Sequence, residues 1–202
     1  VIASGSYTVV DDSTPGYRII NAGTTGVTLL RLRFSAFDEG VSIQRVAFQL
    51  SGVASNTPID LINSELKLYD EANPTILIGR AQFTSDGDFA TSSILSNFII
   101  PKDSSKTMLI KGDINTVGIN GPLVRSGDLL KADYDGDAQG INGGNFGFGV
   151  ASGSTITPTS ADTSVEGIRI MKAHPIFAKL PVPSNVLRNG DNADSLYRFS
   201  IT

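Results

Sequence analysis

The chain has no cysteine, no tryptophan, one histidine, two methionines and only 18% charged residues, and each shortage excludes something. Without cysteine there is no disulfide framework, no thiol nucleophile and no thiolate zinc site. One histidine rules out multi-histidine metal sites, and its position before Pro175 in a proline-rich stretch reads as a linker residue rather than the base of a catalytic triad. The missing tryptophan removes the largest stacking surface a sugar-binding face can offer. Sixteen Lys and Arg against 20 Asp and Glu give a net charge of -4, with the cations scattered singly. A nucleic acid or an anionic membrane needs a concentrated basic face, so neither is expected as a partner. No run of about 18 apolar residues is present, so no membrane span is expected. Val1 stands where an initiator methionine would, and no basic-then-apolar leader precedes it, so the chain reads as a mature or excised fragment.

What is present describes an all-β protein. The 202 residues are 40% hydrophobic, enough for a substantial core, and 21 Gly and nine Pro punctuate short runs. The organising stretch is 27–52, VTLLRLRFSAFDEGVSIQRVAFQLSG. Leu30, Leu32 and Phe34 share one face, while Arg31, Arg33 and Ser35 share the other. Asp38, Glu39 and Gly40 supply a turn, with Gly40 free to take positive φ, so the two runs read as a β-hairpin. On the return run Val41 and Ile43 hold one phase and Val46, Phe48 and Leu50 the other. A β-bulge near Gln44 and Arg45 restores the facing.

Further strands are expected around 7–10, 17–20, 65–70, 76–83, 98–100, 107–114, 123–133 and 165–171, with the run 94–114 as a second hairpin. One short helical turn is expected near 59–63, and no long helix. The glycine-rich region 134–164 reads as a loop carrying a thin strand through Phe146, Phe148 and Val150. Short strands at this spacing describe a β-sandwich or a closed barrel, and the expectation is an antiparallel sandwich of immunoglobulin-like or jelly-roll type.

The end of the chain reads as the start of a duplication, the alternative being chance recurrence of a common apolar-Arg-Phe-Ser strand pattern. LRFSA at 32–36 matches YRFSI at 197–201, and IINAG at 19–23 is echoed by VLRNG at 186–190. The domain reading is therefore a sandwich over 1–171, a proline-rich connector over 172–184, and the opening strands of a second repeat, or a donated strand, over 185–202. The segments IIPKDSSKTMLIKGDI, SGDLLKADYDGDAQG, VEGIRIMKAHPIFAKLPVPS and LYRFSIT resemble the tandem β-sandwich repeats of long surface proteins of environmental bacteria. That resemblance implies a secreted or surface-exposed scaffold of S-layer or adhesin type and carries over no active-site residues.

Candidate sites are few. Asp133, Asp135 and Asp137 in DYDGDAQG can converge on Ca²⁺ around a glycine turn, although Gly136 falls early for an EF-hand loop and no closing Glu follows; a solvated turn is the alternative. Asp86 and Asp88 read as a turn. GINGGNFGFG at 140–149 lacks the Lys-Ser/Thr of a phosphate-binding loop. The expectation is a non-catalytic structural repeat at the cell surface or outside the cell, working against neighbouring copies. The alternative is a carbohydrate-binding or adhesive module that stacks Tyr and Phe on surface glycans.

Overall fold

The computed structural model describes residues 5–50, 55, 57–84, 87–118, 125–136, 144–182 and 197–202. These divide into two compact units, Val1–Lys172 and Ala173–Thr202. In chain order the strands are β1 (Ser6–Asp11), β2 (Arg18–Asn21), β3 (Val27–Phe37), β4 (Val41–Arg45), β5 (Ala47–Leu50), β6 (Leu61–Asp70), β7 (Leu77–Gln82), β8 (Phe89–Thr91), β9 (Ile99–Ile100), β10 (Ser105–Ile114), β11 (Leu129–Leu130), β12 (Ala132–Tyr134), β13 (Phe146–Gly149), β14 (Thr155–Ile156), β15 (Ile168–Met171), β16 (Phe177–Leu180) and β17 (Arg198–Ile201). Among the described residues the helical content is one 3₁₀ turn, Pro58–Asp60, close to where the sequence placed it.

The first unit is all-β, as expected. Its largest sheet runs β1-β3-β10-β6-β7, and β14-β13-β4-β9, β12-β5-β8 and β11-β15-β2 complete the fold. All pairings are antiparallel except β15 with β2. Alternation on β3 works as read: Leu30, Leu32, Phe34 and Ala36 are buried, and Arg31, Arg33 and Ser35 are not. The inward faces meet in a core where Phe34 packs edge-on against Phe98, ring centroids 5.4 Å apart, and stacks on Tyr7 at 6.5 Å.

Neither expected hairpin forms. β3 pairs with β1 and β10, whereas β4 pairs with β13 and β9, so the turn at 38–40 carries the chain from one sheet to another. β9 and β10 make the same switch beside it. Two adjacent runs whose apolar faces both point inward can pair edge to edge or arch over the core face to face, and alternation alone does not distinguish these. The positive φ at this turn also falls on Asp38 (68°) and not on Gly40. Gly40 is needed for closeness instead, because a Cβ there would sit 3.1 Å from the Ile100 carbonyl oxygen. The expected bulge is present: Phe146 lies opposite Arg45 and Gly147 opposite Ile43, leaving Gln44 as the extra residue. A true hairpin joins β6 and β7, with a second bulge opposite Leu68 and Tyr69.

Both edges of the large sheet are covered. On β1, Val9 N–H donates to Ser160 Oγ at 2.6 Å. On β7, Ser93 and Ser96 N–H groups donate to the Arg80 and Ile78 carbonyls at 2.7 and 2.8 Å. Covering edges in this way blocks sheet-to-sheet aggregation.

The second unit is a two-stranded antiparallel pair, β16 with β17, in which Phe177 faces Ile201 and Lys179 faces Phe199. Part of the expected connector is thus a strand, and the terminal run 198–201 is paired within the chain rather than left single. The VLRNG match at 186–190 lies outside the described residues.

Candidate functional site

The predicted cation ligands are acidic side chains, and the structure shows how the described ones are used. Asp133 is buried on β12, where its Oδ1 accepts Val165 N–H at 2.7 Å and Thr163 Oγ1–H at 3.3 Å. Its burial is therefore explained by protein donors. Asp135, also buried, follows directly: its N–H donates to the Ala47 carbonyl at 3.1 Å, and its own carbonyl accepts Asn145 Nδ2–H at 2.6 Å. Asp137, the third residue expected to hold calcium, lies outside the described residues, as does Asp86. Among the described residues no group of three His, Asp or Glu is gathered around a common point. Asp88 is exposed, and its backbone carbonyl accepts Leu50 N–H at 2.8 Å. His174 is half-buried in the second unit. Within the glycine-rich stretch, Phe146–Gly149 is a strand, as expected, and the rings of Phe146 and Phe148 meet edge-on at 5.8 Å.

The most elaborate polar arrangement was not legible in the sequence. Glu39, in the β3–β4 turn, is buried with both oxygens occupied. Oε1 accepts Gly5 N–H at 3.0 Å and Ser152 Oγ–H at 2.7 Å, and Oε2 accepts Ala151 and Ser152 N–H at 3.0 and 2.9 Å. The Gly5 N–H and the two Ser152 donors stabilise the anion and hold its pKa at about 2. Gly149 makes room for it, since a Cβ there would lie 2.4 Å from Oε1. A carboxylate this saturated cannot act as a general base. Beside it is an open hollow of about 460 Å³ walled by Ile99, Ile100, Pro101, Val150 and Ala151. Its wall is mostly aliphatic, and the buried Glu39 contributes no available oxygen to it.

Asp60 is the opposite case. It is 0% exposed, Oδ2 accepts Thr57 N–H at 3.2 Å, and Oδ1 has no hydrogen-bond partner. Burial, aided by the charge of Asp128, raises its pKa to about 7. A proton-carrying acid of this kind can serve catalysis only where substrate reaches it, and Asp60 has no solvent-facing surface. The spacing Thr57-x-x-Asp60 is the signal that could have marked it as a turn-capping group.

On the outer face of the large sheet Lys67 Nζ bonds Asp113 Oδ2, joining β6 to β10. The side-chain hydrogen bond raises the Lys67 pKa and lowers that of Asp113, which also accepts Gly26 N–H at 2.7 Å. Condensation to an isopeptide needs a neutral amine and an uncharged acyl group, so this contact is an ion pair.

The second unit displays large apolar side chains side by side in water. Tyr197, just before β17, alternates with Phe199 and Ile201 of β17, which share a face with Phe177 of β16, and the four are 62%, 51%, 58% and 64% exposed. Phe177 and Phe199 lie 6.2 Å apart and Tyr197 and Phe199 5.8 Å apart, with ring planes inclined at 44° and 41°. The match to 32–36 marks this segment in the sequence, whereas its partner strand β16 falls in the expected proline-rich connector. No protein-family model matches the chain, and no curated protein sequence matches it.

Proposed function

We propose that this chain is a non-catalytic structural repeat of a prokaryotic cell-surface or extracellular assembly, an immunoglobulin-like building block of S-layer, filament or adhesin-stalk type that works through contacts between domains. The observation that carries this reading is the apolar face of β16–β17. A first unit with both edges of its main sheet covered is joined to a strand pair that leaves four large apolar side chains in water. Surfaces of that kind mark places of protein contact. The acidic groups of the first unit support it too, because Glu39, Asp133 and Asp113 all serve to bind backbone N–H groups. The absence of cysteine and the low charge suit a bacterial exterior.

Antibody raised against the chain tests the location: labelling of intact producing cells is expected, and labelling only after permeabilisation rejects it. The exposed rings of Phe177, Tyr197 and Phe199 favour a second reading, a glycan-binding face. Their mutual tilt of more than 40° argues against a flat stacking platform. A glycan array decides between the two, with specific millimolar or tighter binding required for the second.

A further inference from the structure

Two strand pairs in this chain are built to one plan. When Leu32–Ala36 is laid on Tyr197–Ile201 by the sequence match, Ala36 corresponds to Ile201, Phe34 to Phe199 and Arg33 to Arg198. The pairing partners then correspond without further adjustment. Ala36 faces Tyr7 and Ile201 faces Phe177; Phe34 faces Val9 and Phe199 faces Lys179. The aromatic pair recurs with the register: Tyr7 stacks on Phe34 at 6.5 Å, and Phe177 meets Phe199 at 6.2 Å.

Hydrogen-bond phase agrees as well. Ile176 and Thr202 exchange two N–H···O bonds of 3.0 Å, so Phe177–Ile201 is a non-bonded pair and the Ile201 N–H points away from β16. In the first unit Ala36 N–H likewise points away from β1, and it donates to the Ser104 carbonyl at 3.0 Å. The sequence match, the aromatic residue opposite it with its ring contact, and the hydrogen-bond phase are three agreements. Lys179 at the position of Val9 departs from the pattern, and so does the ring angle, 44° for Phe177 and Phe199 against 27° for Tyr7 and Phe34.

The surroundings differ. In the first unit this face is closed, with Tyr7 2% and Phe34 1% exposed, and β10 runs along the far edge of β3 with Ser105 opposite Ser35. Among the described residues of the second unit, β16 is the one strand paired with β17.

We propose that β16–β17 is a second copy of the β1–β3 pair. Its apolar face and its outer edge take the counterparts of β4, β9 and β10 from a further repeat of this fold, joined in line. A neighbouring copy does not supply them, because its β10 is already held between β3 and β6. This deepens the structural-repeat reading and rests on it for its biological sense, but the geometry is tested separately.

The experiment appends a second copy of residues 38–172 directly after Thr202 of the full chain, the join that follows from Thr202 corresponding to Phe37. In a parallel fusion, residues 6–37 replace 176–202. Cysteines are introduced at Ser200 and at the appended copy of Ser105, and Ser35→Cys with Ser105→Cys in the first unit is the reference, since those hydroxyls lie 2.8 Å apart. The expected result is a disulfide in the appended unit forming within tenfold of the reference rate. Hydrogen exchange at the Ile201 amide should also slow at least tenfold relative to the unfused chain. Failure of the first fusion to fold or crosslink while the parallel fusion does both overturns the proposal, as does an unprotected Ile201 amide. If neither fusion folds, covering strands do not complete even the genuine β1–β3 pair in this setting, and the proposal is rejected with them. None of these outcomes alters the labelling or glycan results, so the two readings fail independently.

Discussion

Glu39 and Asp60 are both buried carboxylates at turns of the first unit, and they are held in opposite ways. Glu39 has four donors from two distant segments and is locked as an anion; Asp60 has one donor, one orphaned oxygen and a proton near neutrality. Burial alone therefore does not determine what a carboxylate contributes. The number of N–H and O–H groups aimed at it does, because desolvation penalises the charge in both places and only one site compensates.

The largest effect that sharpens this contrast is at Asp60. Its folded pKa lies above the unfolded value, so its contribution is complete below about pH 4 and is lost as pH rises through about 7. Asp60→Asn should therefore raise the unfolding free energy at pH 8 by on the order of 3 kcal/mol and flatten the decline between pH 4 and 7. Urea titrations at pH 5 and pH 8 measure this, and equal stability of the natural chain at the two values would break the contrast. Crowding the other site comes next. Gly149→Ala places a methyl 2.4 Å from Glu39 Oε1 and 2.3 Å from Ser152 Oγ, and should cost about 1–3 kcal/mol by chemical denaturation.

The sign at Glu39 is reversed. Its folded pKa is depressed, so its contribution is present above about pH 4.5 and disappears as pH falls towards 2. Glu39→Gln should destabilise the chain at pH 7 and remove part of the acid limb, which circular dichroism during acid titration would reveal. Between the extremes is Asp133, with a backbone and a hydroxyl donor. Asp133→Asn keeps an acceptor for Val165 N–H and should cost about 1 kcal/mol. The smallest change is expected where the carboxylate is in water. Glu71→Ala breaks the 2.5 Å pair with Arg31 and should alter stability by less than about 0.5 kcal/mol, and a larger loss would mean that this surface pair is worth more than its exposure suggests.

The faces of the strands were legible from composition and alternation. Leu30, Leu32 and Phe34 point inward because the period of two leaves no other way to bury them, and the slip at Gln44 announced its bulge. Partners were not legible. The 27–52 run looks identical whether its halves pair or arch, and only the surrounding strands decide. The Glu39 arrangement was invisible for a related reason: its donors lie 34 and 113 positions away in sequence, beyond any local pattern. The sequence marks Asp133 as a candidate cation ligand or a residue of a solvated turn, yet the donor that explains its burial, Val165 N–H, sits 32 positions downstream. Local rules report which side of a strand is wet, and long-range contacts decide what the acids do.

The two arches at β3–β4 and β9–β10 also bear on how the chain reaches this state. Because the chain changes sheets at each of them, the central ladder unites residues as distant as Val27 and Gly112 and cannot grow by zipping from its turns. Ordering must await the meeting of remote segments, and the loop-closure entropy lost beforehand raises the barrier. Refolding on the millisecond-to-second scale is the corollary, a delay during which the polypeptide is still slack enough to be threaded.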